Sequence, residues 1–153
     1  MHLEYLRPVS AAGKEGGLGV SAIVMDQLRN ELNRMLDMAI ANVEDGFRAV
    51  LDRDESRLAQ VEEREEYIDF LNKEITTCLV EVKGLDLDER DTRLVGSLFH
   101  VVNDMERVGD HAQNILEAAQ LRHNEDIKFS PKAISELDTL SGMVVDQLER
   151  ALS

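Results

Sequence analysis

Apolar residues return along most of this chain at steps of three and four, the repeat that lays one stripe along an α-helix. From about Ser21 the stripe runs through Leu28, Leu32, Met35, Ala39, Val43, Gly46 and Val50, which predicts a first helix ending near Leu51. Asp52 and Glu55 stand at capping-box spacing ahead of a second stripe, Leu58, Val61, Ile68, Ile75 and Leu79, and Gly84 supplies its stop. Asp86 and Glu89 open a third helix in the same way. Leu94, Leu98, Val101, Met105, Val108, Ala112, Ile115 and Ala119 carry it to about Leu121. Ser130 and Pro131, a cap and first-turn pair, start a fourth through Ile134, Leu137, Leu140, Val144 and Leu148. Helices of about 30 residues each span about 45 Å, and the short turns between them force antiparallel neighbours. The expected fold is all-α, an elongated antiparallel three-helix bundle of the spectrin-repeat kind with an additional C-terminal helix. Residues 1–20 hold a proline, several glycines and no period, and read as a flexible tail or linker unless docked; residues 21–153 read as the folded domain.

Two positions of the second stripe are polar where the spacing asks for apolar residues: Glu65 and Asn72. Asp69 follows Glu65 by one turn, so both carboxylates can share a side, with Cβ atoms about 5–6 Å apart. Glu106 and Asp110 repeat that spacing on the third helix, with Gly109 beside them. If the hairpin turns near Gly84, Glu65 and Glu106 fall at about the same height. Burying several carboxylates without compensation costs several kcal/mol each, and a hard cation removes that cost. The plainer reading is a wet acidic face, or pairing with Arg64 and Arg107. Gly109 would let a neighbouring element approach closely. His111 points about 100° round the helix from Asp110 and reads as a solvated histidine.

Composition narrows the function. Acids outnumber bases 31 to 17, a formal charge of -14, which repels phosphate backbones and excludes nucleic acid as a natural partner. No apolar run approaches the roughly 20 residues that cross a bilayer. Cys78 is the single cysteine, so an internal disulfide is impossible, and with no signal peptide the chain reads as cytosolic. No Ser or Thr has a paired His base, and GKEGGLG follows no strand, so it is not a phosphate-binding loop.

NDMERVGDHAQNI resembles the signature helix of the PhoU family, roughly D-L-E-R-I-G-D-x-A-x-x-I, and EEREEYIDFLNKEI is similar to the helix before it. DERDTRLVGSL resembles the polar opening of the family's third helix. The resemblance covers about residues 25–122. It implies a PhoU-like, non-enzymatic regulator of inorganic phosphate uptake. It also implies Glu65, Asp69, Glu106 and Asp110 as ligands of a multinuclear iron or zinc cluster. A single repeat followed by one further helix, preceded by HLEYLRPVS and opened by Glu31, Arg34 and Met35, is most like the cytosolic C-terminal domain of bacterial sodium-phosphate cotransporters. On that reading residues 1–20 are a juxtamembrane connector, the domain lies at the cytoplasmic side of the membrane, and its partner is the transporter's membrane domain or a sensor protein. A standalone PhoU-type regulator is the alternative. Phosphate itself is not expected to bind so acidic a face without a bridging cation. A homodimer is an expectation too, because the fourth stripe exceeds what a three-helix core covers. A carboxylate-bridged oxidase fits poorly, since the Glu-x-x-His motif such bundles use is missing: the residue three before His111 is Val108.

Overall fold

The computed structural model of the protein describes residues 1–6 and 17–152. Among the described residues four helices follow in order: α1 (Gly17–Asp52), α2 (Ser56–Lys83), α3 (Glu89–Asn124) and α4 (Pro131–Leu152). No strand occurs among the described residues. The first three helices pack against one another in pairs, and α4 rests on α1. Leu28 and Met35 from α1, Ile68, Leu71, Ile75 and Leu79 from α2, and Val95, Val102 and Met105 from α3 form the main core. A second, smaller cluster of Ala49, Val50 and Ala119 closes the far end. The all-α bundle with a C-terminal helix is therefore present.

Several details differ from the periodicity, each for a local reason. Helix α1 begins at Gly17, inside the stretch read as a tail, because Gly17 and Gly19 are poor helix formers that hide its first turn from any pattern. Residues 1–6 are docked on the bundle, with Leu6 buried in the main core; residues 7–16 of that stretch lie outside the described residues. The α3 seam slips by one position at three pairs of adjacent apolar residues. Val102 is 2% exposed and Val101 38%, Leu116 is buried while Ile115 is half-buried, and Val95 lies deeper than Leu94. On α4 the inward position is Ser141, and Leu140 is left 49% exposed.

The caps move as well. Asp52 closes α1 instead of opening α2; Glu55 stands at the N-cap without a side-chain cap bond, and Asp54 just before it accepts at Oδ1 from the Ser56 backbone N–H at 3.0 Å and from the Ser56 hydroxyl at 2.6 Å. Asp88, two residues after the expected Asp86, caps α3 by accepting from the Asp91 N–H at 2.7 Å. Asp88→Ala is therefore expected to cost about 1 kcal/mol in denaturant unfolding, with Asp86→Ala close to neutral. Gly84 does end α2, but in the right-handed region at φ -77°, so its lack of a side chain is not what the turn requires. Positive φ falls instead on Arg53 and Asp126, one in each top connection, and these two are joined by a 2.5 Å ion pair. Cys78 is a core filler, its thiol pushed up to about 11 by burial and then by Glu81.

Candidate functional site

The antiparallel α2–α3 pair sets the height of the acids. Glu65 of α2 arrives beside Gly109 of α3, and a Cβ at Gly109 would lie 3.2 Å from Glu65 Oε1. A side chain there would make Glu65 give way by a few tenths of an ångström, so what the glycine admits is the Glu65 carboxylate and not another helix backbone. Asp69, one turn along α2, and Asp110, next to Gly109, both act electrostatically on Glu65. The structure so brings three of the four expected acids into one electrostatic group. Glu65 is half-buried, while Asp69, Asp110 and Glu106 are exposed. His111 is exposed, as the sequence suggested. Among the described residues, no three His, Cys, Asp or Glu side chains are grouped so as to hold a metal ion. A cation shared by the four acids would need the exposed side chains to turn inward onto Glu65.

Behind Glu65 lies a residue that periodicity did not single out. Asn42 of α1 is fully buried, its Nδ2 donating to the Val61 carbonyl at 3.1 Å and, at 3.5 Å, to Glu65 Oε2. Its Oδ1 has no hydrogen-bond partner among the described residues. The only signal in the sequence was its place between Ala39 and Val43, next to an apolar stripe. The sequence also weighed Arg64 as a partner for Glu65. Arg64 is committed elsewhere: it and Arg57 both donate to Asp45, at 2.5 and 2.6 Å.

Burial, the main cause, and the nearby Asp69 and Asp110 charges push the Glu65 carboxyl above its ordinary value, against a smaller downward pull from Asn42. The folded state therefore holds this proton more tightly than the unfolded chain. Its ionisation costs stability as pH rises from the ordinary carboxylate value through the raised one. Glu65→Gln keeps the shape and the Asn42 contact and removes the like-charge pair with Asp69. Stability near neutral pH should rise by about 0.5 kcal/mol, the scale of an i,i+4 repulsion. Denaturant titrations should show the gain closing as pH falls below the ordinary carboxylate range.

Comparison with known proteins gives a consistent answer. The family model for the PhoU domain matches residues 32–119, more than half of the chain. A Clostridium acetobutylicum protein named phosphate-specific transport system accessory protein PhoU homolog is 27% identical over 128 residues, which is 82% of this chain and 58% of that protein. A Thermotoga maritima protein named phosphate-specific transport system accessory protein PhoU homolog 1 is 26% identical over 130 residues, 81% of this chain and 53% of its own length. The chain thus spans a little over half the length of these curated relatives. No solved structure matches it.

Proposed function

Because the chain belongs to the PhoU family, we propose that it is a non-enzymatic accessory regulator of phosphate transport, acting by helix-bundle contacts with a membrane phosphate transporter or its sensor protein. The observation that carries this reading is the family match laid over the three packed helices that bear both acid pairs. Both relatives carry the accessory-protein name, which favours this reading over the narrower one, a domain of a sodium-phosphate cotransporter. None of the described helices is long and apolar enough to cross a membrane. An acidic bundle suits a basic partner surface, and the docking should weaken with salt. Crosslinking in cells and identification of the partner tests this: a phosphate transporter or its sensor is the expected product. Crosslinks confined to proteins unconnected with phosphate would contradict it.

Iron or zinc at the Glu65 face is a separate proposal. It rests on the resemblance of the two acid pairs and on the unpaired Asn42 oxygen, a donor that hard cations accept. If an ion binds there, Glu65 and Asp110 would hold it, with Asp69 and Glu106 turning in. Elemental analysis of the purified protein against a Glu65→Gln, Asp110→Asn variant decides it: metal should be lost in the variant, and equal content in both removes the proposal.

A further inference from the structure

Glu31 of α1 is a fully buried carboxylate that no part of the acidic face uses. Its Oε1 accepts three successive backbone N–H groups, from Glu4 at 2.6 Å, Tyr5 at 2.7 Å and Leu6 at 3.3 Å. Three consecutive amides reach one oxygen only if the segment curls around it, and residues 4 and 5 are indeed bent. Oε2 takes Arg34 Nε at 3.1 Å. Arg34 in turn donates to the His2 carbonyl at 2.9 Å and to the Tyr67 hydroxyl at 3.2 Å, and pairs with Glu4 at 3.2 Å. The Tyr67 hydroxyl donates to the same His2 carbonyl at 2.7 Å and accepts from the His2 N–H at 3.1 Å. Leu6 is buried in the core, Leu3 packs beside it, and Tyr5 stays exposed.

The chemistry of this contact is that of a docked peptide. Among the described residues, every polar bond between the segment and the bundle ends on a side chain of Glu31, Arg34 or Tyr67, so these bonds take nothing from the backbone bonds of the helices. Only two apolar side chains would leave the bundle with it. An opening so local costs less than unfolding the bundle. The charge on Glu31, in contrast, is tolerable in its buried site only while the three amides and Arg34 surround it.

We propose that His2–Leu6 is a releasable latch on a peptide-docking groove between α1 and α2, with the Glu31 carboxylate as its catch. Docked, it covers Glu31 and the Arg34–Tyr67 pair; released, it exposes them as a site for a curled segment offering successive N–H groups and a leucine. The bundle therefore has two surface states at its α1–α2 face, separated by one local event.

Native-state hydrogen exchange on the full chain tests this. The amides of Glu4, Tyr5 and Leu6 should be protected relative to a free peptide of residues 1–6, yet exchange through an opening at least about tenfold more frequent than that of core amides such as Leu71 and Ile75. Glu31→Gln should speed the three amides about tenfold further while leaving the core amides unchanged. Tyr67→Phe, which removes only the hydroxyl bonds, should do the same to a smaller extent and serves if Glu31→Gln does not fold. Exchange of the three amides in step with the core would make the segment a fixed part of the fold and overturn the latch. Unprotected amides in the wild type, or no change in the variants, would overturn it equally.

Discussion

Arg122→Ala should lower the unfolding free energy by about 3 kcal/mol, or roughly 10 °C in the thermal midpoint for a chain of this size. Arg122 sits in the last turn of α3, only 5% exposed. Its Nη1 donates to the carbonyls of Val50 and Leu51, its Nε donates to the Ile127 carbonyl at 3.2 Å, and its guanidinium lies 4.1 Å from the Phe129 ring centre. Val50 and Leu51 are within the last turn of α1, where carbonyls have no partner in their own helix. One side chain therefore caps α1 from α3 and ties down the connection to α4. Alanine orphans two buried carbonyls and one part-buried one at about 1 kcal/mol each. Arg122→Lys should recover less than half of the loss, because an ammonium cannot span carbonyls on both sides as a planar fork does. Denaturant unfolding of both variants checks this.

Asn42→Asp should be as damaging near neutral pH, again about 3 kcal/mol, and should recover in acid. Asn42 is the polar group buried against Glu65, and its one good bond is donated to the Val61 carbonyl. An aspartate has no proton to give, so it would set a buried negative charge against that carbonyl and the Glu65 carboxylate. The new carboxyl would be pushed well above its ordinary value by burial and by Glu65. Its penalty is full above the folded value and disappears below the unfolded one. Asn42→Leu, by contrast, removes the unpaired oxygen at similar volume and should be neutral or slightly stabilising. Stability measured against pH in both variants separates the two effects. Recovery of the Asp variant on adding zinc or ferrous ion would mark the face as a cation site.

The helices were legible because one repeat runs through each of them and Leu28, Ile75, Leu98 and Met105 all fall on it, although on α2 the buried residue is Leu71 where the repeat pointed to Asn72. What the repeat could not say was which of two adjacent apolar residues faces in. Val101 and Val102, or Ile115 and Leu116, differ by 100° round the helix, and only the placement of α1 and α2 decides between them. Caps were ambiguous for a similar reason: Asp52 and Asp54, then Asp86 and Asp88, each offer an acceptor within two residues. At the acidic face the sequence brought Glu65 to Asp110 correctly and set Glu106 at the same height, where the side chain stays exposed. Asn42 gave no more signal than its place beside an apolar stripe and Arg122 gave none, since each is buried by partners distant in the chain: Val61 for one, Val50 and Leu51 for the other. Glu31 and Arg34 were noticed through resemblance alone, and their physical task, holding residues 2–6, emerged only from the folded chain.

The proposed regulation of phosphate entry is tested most directly by following radiolabelled phosphate uptake in cells that lack this chain, under scarce and then abundant phosphate. Uptake should lose its dependence on supply and regain it when the wild-type chain is restored, with Arg122→Ala failing to restore it for want of a stable bundle. Uptake that tracks phosphate supply equally well with and without the chain would contradict the account.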